Sequence, residues 1–284
     1  MLSIKQALDN GTKILKNLSI ESANLDSRIL LLHIIDKTQE YLISRPDERL
    51  TDFEEAKFFT LIERRANLEP IAYIIGYKEF YGYNFYVNDK VLIPRPDTEV
   101  LVDAIIREVK ESNITNPLIL ELGIGSGCVS ISLLLEIESA NIIASEISLD
   151  AILVSNQNAQ IHSVSNRLKI IHSNWFDNIN EKKFDIIFSN PPYIPKSEAY
   201  LMGAETIRYE PHNALFMDNN EFNPYQYIAK DAKSFLKENG KLFLEVGFNQ
   251  AGSIIQIFES QDFVMNKIYK DFAGHKRVVS LKLP

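Results

Sequence analysis

From about residue 97 onward, short apolar runs alternate with longer stretches of helical spacing, and this alternation narrows the fold more than any other feature. The strand-like runs are residues 117–122, 141–145, 168–172, 184–189 and 241–246. The helical stretches are 97–110, 129–136, 149–160 and 224–236. Repetition of this kind predicts an α/β architecture, a mostly parallel sheet with helices on both faces. The last two runs, 264–269 and 278–283, have no helix between them and predict a closing antiparallel pair. Residues before about Pro70 read differently. Ile4, Ala7, Leu8, Gly11, Ile14, Leu15 and Leu18 share one helical face behind Ser3, and a second helix is expected over about 22–36. Thr51 followed by Glu54 is a capping-box signature for a third. Aromatic residues around Gly82 suggest a hairpin over 77–87, leading into the proline-rich connector 91–96. The expected organisation is a helical domain over 1–76, hairpin and connector over 77–96, and the α/β domain over 97–284.

At the end of the 184–189 run stands Asn190-Pro191-Pro192-Tyr193. Two prolines forbid the strand from continuing, so the Asn190 side chain is held at a strand's carboxyl end, the edge where open α/β sheets bind ligands. Proline lacks an N–H, which makes the turn stiff and rich in acceptors. The side-chain oxygen of Asn190 and the carbonyl of Pro191 could each accept one hydrogen of a planar –NH2 group. Such a nitrogen is a poor nucleophile because its lone pair is delocalised. Holding both hydrogens aims the lone pair at an electrophile, and Tyr193 could lie against the flat face of the bound group. Asn190, Pro191 and Tyr193 are therefore the candidate catalytic residues, and Asn190 to Tyr193, with Pro192, the candidate substrate turn. The plainer reading is a proline-rich turn that merely caps a strand.

The run ending Glu121-Leu122 opens into Gly123-Ile124-Gly125-Ser126-Gly127 and then a helical stretch. Strand, glycine loop and helix start form a nucleotide-binding element, but the third glycine comes one residue early for a dinucleotide fingerprint. That spacing suits a compact nucleoside. Glu146 ends the next strand, about where a carboxylate would clasp ribose hydroxyls. S-adenosylmethionine satisfies both halves, since it has a ribose, no phosphate and a methyl group made electrophilic by a sulfonium. Glu121 either faces the cationic end of such a ligand or is a strand-end carboxylate exposed to water. Trp175 either packs on adenine or is an ordinary core residue. Cys128 reads as a small buried hydrophobe.

A formal charge of −8 over 284 residues argues against a broad nucleic-acid-binding surface. One cysteine gives no disulfide framework, the five histidines show no metal-ligand spacing, and no apolar stretch approaches a membrane span. The start Met1-Leu2-Ser3-Ile4-Lys5 lacks the apolar core of a secretory signal. The expectation is a soluble cytoplasmic protein without metal or membrane attachment.

With these residues in hand, the chain resembles the HemK/PrmC family of protein glutamine methyltransferases. The resemblance rests on Ile93-Pro94-Arg95-Pro96-Asp97-Thr98-Glu99, Glu121 to Cys128, Phe184 to Pro195, Glu210-Pro211 with Ala214-Leu215, Leu244 to Gly247, and Asp271 to Gly274 with Arg277. It implies a class I, Rossmann-like methyltransferase sheet with an antiparallel terminal strand behind a small helical domain that recognises the substrate. It also implies a protein substrate, the glutamine of the Gly-Gly-Gln motif in bacterial peptide chain release factors. By the same resemblance Gly123, Ile124, Gly125, Ser126, Gly127, Glu146, Trp175 and Asn190 hold S-adenosylmethionine, and no nucleic acid is required; a monomer is expected. Ile124, Glu146 and Asn174 depart from the family's usual threonine, aspartate and aspartate, and His275-Lys276 is an uncommon pair. Amino methylation of adenine or guanine in DNA or RNA is the alternative, since the same tetrapeptide serves that chemistry; it needs a basic groove. Three bordering features carry local expectations: Asp97 as a helix N-cap, Arg95 with Glu99 as an inter-domain pair, and the aromatic residues Phe80, Tyr81, Tyr83, Phe85 and Tyr86 as packing between domains.

Overall fold

The computed structural model describes residues 1–180, 183–217 and 223–284. They form two compact units, one of Met1–Gly76 with Gly203–Tyr209, the other of Tyr77–Met202 with Glu210–Pro284. The first contains α1 (Ile4–Asn17), α2 (Ala23–Ile35), α3 (Gln39–Ser44), α4 (Asp52–Ala66) and α5 (Ile71–Ile75). Capping boxes start α1 at Ser3 with Gln6 and α4 at Thr51 with Glu54, so two otherwise orphaned N–H groups are satisfied at each start. Ile4, Ala7, Leu15, Leu30, Leu31, Phe58 and Ile62 build the core. A side chain at Gly11 would come within 2.8 Å of the Phe58 ring, so glycine there lets α1 and α4 approach closely. A buried ion pair crosses this unit: Arg65 Nε donates to Asp26 at 2.7 Å, and its Nη1 reaches Glu205 at 2.6 Å.

The second unit opens with the hairpin β1 (Tyr77–Phe80) and β2 (Tyr83–Tyr86). After a single 3-10 turn, Pro96–Thr98, come α6 (Glu99–Glu111), β3 (Leu118–Leu122), α7 (Cys128–Glu136), β4 (Asn141–Glu146), α8 (Leu149–Ile161), β5 (Leu168–His172) and β6 (Phe184–Ser189). A short strap follows, with β7 (Ile194–Pro195), a 3-10 stretch over Lys196–Leu201, α9 (Ala204–Tyr209), α10 (His212–Leu215) and β8 (Phe216–Met217). The chain ends with α11 (Pro224–Phe235), β9 (Leu236–Glu245), α12 (Ala251–Glu259), β10 (Val264–Lys270) and β11 (Lys276–Lys282). The seven-stranded sheet has the order β10-β11-β9-β6-β3-β4-β5. Strands β9, β6, β3, β4 and β5 are parallel, and β11 runs antiparallel to both of its neighbours.

Both sheet faces are covered, and alternate residues of each strand enter opposite cores. Ile119, Ile142, Ile186, Phe188, Phe243 and Val278 pack with α6 and α7. Leu120, Leu122, Ile143, Ile187, Leu242, Leu244 and Val279 pack with α11 and α12. Burial on both sides explains why these strands read as continuous apolar runs. No helix among the described residues is long and apolar enough to cross a membrane.

Three local expectations fail here. Phe80 and Phe85 of the hairpin belong to the core beneath α6 and α7 rather than to a seam between domains. The Tyr81 and Tyr83 hydroxyls donate to Asp103 and Glu136, on those same helices. Asp97 caps no helix: the 3-10 turn places Thr98 at the start of α6, and Asp97 pairs with Arg277 at 2.6 Å. Arg95 and Glu99 do not pair. Arg95 reaches Glu210 at 2.5 Å, while Glu99 accepts the N–H of Tyr81, which a positive φ turns out of the hairpin. Helix α12 carried no expectation, because Gly252 and three isoleucines weaken its helical signal.

Candidate active site

The site lies at the carboxyl edge of the parallel strands, where register sets the neighbours. Leu122 pairs with Ser189 and Ser189 with Leu244. The next residue on each strand is therefore Gly123, Asn190 and Glu245, side by side. The Ser189 hydroxyl donates to the Leu122 carbonyl at 2.7 Å, fastening the glycine loop's strand to the strand that carries Asn190.

Gly123, Gly125 and Gly127 all have positive φ, so the loop needs glycine at each. Side chains built at Gly123 or Gly125 would meet nothing within 4 Å, which makes their surface an open cradle. Gly127 differs: a side chain there would press on Ile131 at 3.0 Å and Ser155 at 3.3 Å, so this glycine serves close helix packing. Ile124 turns into the core, and its N–H, like that of Gly123, is taken by the Ser145 carbonyl. The apolar residue at this position leaves the loop's backbone intact. Ser126 is buried, and its carbonyl accepts from Asn158 at 2.8 Å. Asn158 also exchanges two hydrogen bonds with the backbone of Tyr86, tying hairpin, α8 and loop together.

Glu146 is nearly buried, and its carboxylate folds back on the loop. One oxygen accepts from the N–H groups of Ile147 and Ser148, the other from that of Gly125 at 3.0 Å. A carboxylate has about four acceptor directions, so one remains on the oxygen beside Gly125. Glu121 is buried, not exposed to water. The Ser130 hydroxyl donates to it, and burial pushes its carboxyl up to about 8, with Glu146 adding repulsion. A cation placed beside it would favour ionisation. Open glycine surface, a ribose-type acceptor and a buried carboxyl that gains from a cation together fit S-adenosylmethionine. Trp175 follows β5 at φ +48° and packs half-buried against the α11–α12 core. Cys128 is buried, which pushes its thiol up to about 12 and makes it inert.

On the other side of the loop, the Asn190 Nδ2 donates to Thr98 Oγ1 at 3.3 Å. Pro191 is buried, and its carbonyl accepts no hydrogen bond from the described residues. Gln250 clamps the end of the turn: its Nε2 donates to the Tyr193 carbonyl at 2.9 Å, while its Oε1 accepts from Gly247. The Tyr193 hydroxyl stands 3.5 Å from Glu245 Oε1, and burial pushes its phenol well up. Thr98, Asn158, Glu245 and Gln250 are the residues that sequence reading missed as parts of this edge. One of them left a signal: Glu245 is a lone carboxylate inside Leu242-Phe243-Leu244-Glu245-Val246, a run otherwise suited to a buried strand.

Sheet order, reversed β11 and glycine loop define a class I methyltransferase. Residues 6–76 match the PrmC N-terminal domain family and 97–218 the methyltransferase small domain family. A release factor glutamine methyltransferase of Agrobacterium fabrum is 36% identical over 99% of this chain and 97% of its own length. A bifunctional methyltransferase of Rickettsia typhi is 46% identical over 98% of this chain, which spans only 57% of that relative's length. A 16S rRNA N2 methyltransferase of T. thermophilus, solved with AdoMet and guanosine, shares the fold at a TM-score of 0.53 and 18% identity, over 73% of this chain and 50% of its own. The chain belongs to the release factor glutamine methyltransferase family.

Proposed function

We propose that this protein transfers a methyl group from S-adenosylmethionine to the side-chain amide nitrogen of the Gly-Gly-Gln glutamine in bacterial release factors. The observation that carries this reading is the adjacency of Asn190 and the Gly123 cradle on paired strands, with the Asn190 amide anchored through its nitrogen. When bound, S-adenosylmethionine supplies an electrophilic methyl carbon. The open backbone at Gly123 and Gly125 would line the cofactor's place, with Ile124, Ser126 and Gly127 holding the loop in shape, Glu146 would accept a hydrogen bond from a ribose hydroxyl, and Trp175 would border the adenine. Asn190 Oδ1 and the Pro191 carbonyl each accept one hydrogen of the glutamine –NH2. Both hydrogens would then lie in fixed directions, and the nitrogen lone pair would be left free for the electrophilic methyl that the cofactor supplies. Pro192 stiffens the turn and Tyr193 supports the flat face of the amide. Full-length similarity to release factor glutamine methyltransferases supports the substrate, and a net charge of −8 supports a protein partner over a nucleic acid. We further propose a monomer whose helical unit contacts the release factor.

The test incubates the purified chain with labelled S-adenosylmethionine and a release factor, or the same factor with its loop glutamine replaced by alanine. Label is expected on the first factor alone. Equal labelling of both, or labelling of DNA or RNA instead, overturns the proposal.

A further inference from the structure

We infer that Asn158 is a positioning residue that sets the glycine loop against the β1–β2 hairpin, so that S-adenosylmethionine affinity depends on the hairpin. The inference rests on the reading of the loop over Gly123 to Gly127 as the cofactor's cradle. The Asn158 side chain is fully buried on α8, and every polar group of its amide is engaged. Its Nδ2 donates one hydrogen to the Ser126 carbonyl at 2.8 Å and the other to the Tyr86 carbonyl at 2.9 Å, while its Oδ1 accepts the Tyr86 N–H at 2.7 Å. An amide nitrogen has two hydrogens, so both are committed. Turning the amide over would set its oxygen against two carbonyls and its nitrogen against an N–H. The sense is therefore fixed, and Asn158 bridges Tyr86 of the hairpin to Ser126 of the loop.

The loop needs such a hold. Ser126 sits between Gly125 at φ +55° and Gly127 at φ +83°, and glycine gives up more backbone freedom on ordering than any other residue. The first half of the loop is fixed from the end of β4. There the Ser145 carbonyl takes the N–H groups of Gly123 and Ile124, and the Glu146 carboxylate takes that of Gly125. Ser126 is held from another direction, by the hairpin through Asn158. The hairpin is firm enough to act as a reference. Phe80 and Phe85 anchor it in the core with α6 and α7. Just past the end of α8, His162 Nε2 stands 2.9 Å from the Asn84 carbonyl, to which it must donate, and its ring lies 4.9 Å from that of Phe85. Hairpin and α8 thus meet at two points one helical turn apart. Without the Asn158 bridge, the Ser126 peptide is freer to rotate about its flanking glycines, and the cofactor must order it on binding. Once the cofactor is bound, the residues that hold the amide to be methylated are unchanged. The loss therefore falls on cofactor affinity and spares the rate of transfer.

The test measures S-adenosylmethionine affinity by isothermal titration calorimetry in the full chain, comparing wild type, Asn158→Ala and Asn156→Ala. Asn158→Ala should weaken binding about tenfold, the scale of one hydrogen bond that fixes a bound conformation. Its kcat at saturating cofactor should stay within about twofold of wild type. Asn156, exposed on the same helix, donates to the Ile152 carbonyl one turn back, and its variant should bind as wild type does. A residue that only satisfied buried backbone groups would lower the melting temperature on removal and leave the affinity of the folded protein unchanged. Coupling between sites is reciprocal. In the wild type, bound S-adenosylmethionine should therefore slow hydrogen exchange of the Tyr86 amide several-fold, while the Tyr81 amide, which bonds Glu99, should not change. Wild-type affinity in a folded Asn158→Ala variant overturns the inference. Should that variant not fold, Tyr86 exchange decides, and exchange indifferent to the cofactor overturns it. Gly125→Ala keeps the two readings apart, since its methyl group would enter the open cradle. Wild-type affinity in that variant overturns the cradle reading, and the inference falls with it; wild-type affinity in Asn158→Ala alone leaves the cradle standing.

Discussion

Asn190 has two polar ends with separate duties, one tied to Thr98 and the other left for a ligand. Truncation to alanine removes both while leaving the glycine cradle and Glu146 untouched. Asn190→Ala should lower turnover by roughly a hundred- to a thousandfold, the scale seen when one aligned transition-state partner is lost. S-adenosylmethionine affinity should stay near wild type, as isothermal titration calorimetry would show. Equal losses of affinity and turnover would mean that the residue serves chiefly the cofactor. Of this residue's surroundings, the tetrapeptide itself was legible, because two prolines after an apolar run have few structural meanings. Its anchor was not. Thr98 lies 92 positions earlier, and nothing local to either residue links them.

Among elements, the short helix α9 shows how little chain distance predicts packing. It lies far along the sequence yet belongs to the helical unit, where the hydroxyl of its Tyr209 donates to the Asn67 carbonyl at 2.9 Å. Glu205, also on α9, joins the buried pair of Asp26 and Arg65. Removing Arg65 would leave Asp26 buried with its strongest partner gone, although the Ser22 hydroxyl still donates to it. Arg65→Met should destabilise the helical unit by about 3–5 kcal/mol, and adding Asp26→Leu should recover most of that loss. Urea unfolding followed by circular dichroism would measure both; a single variant within 1 kcal/mol of wild type, as for a surface pair, would contradict the burial argument. Periodicity and caps made α1, α2 and α4 readable, since those signals act within a turn or two. The strap elements from β7 to β8 were not readable, because they are too short to carry a period of their own.

At the scale of the whole molecule, two buried carboxyls shape the response to pH. Glu121 is lifted to about 8 and Glu245 to about 7, from an ordinary 4.5. Between 4.5 and those values the folded protein keeps protons that the unfolded chain releases. The contribution of these groups is therefore complete below pH 4.5 and is lost as pH rises through about 7 and 8. Relative to wild type, Glu121→Gln should gain melting temperature with rising pH up to about 8 and gain nothing further above it. Scanning calorimetry of both proteins without cofactor from pH 4.5 to 9 would show the divergence. A constant difference across that range would mean that Glu121 ionises normally in the fold.

Sequence by itself determined the alternation of strands and helices, the capped helical segment, the glycine loop and the proline-stiffened turn. Each follows from steric rules and hydrophobic periods that operate over a few residues. Tertiary structure alone decided that Gly123, Asn190 and Glu245 stand abreast, since that requires the strand order β9-β6-β3 and its register. It also decided the partners of Arg95, Asp97 and Glu99, and whether Glu121 meets water or protein. A charge reads the same in any chain; its partner and its dielectric surroundings exist only once distant segments have packed around it.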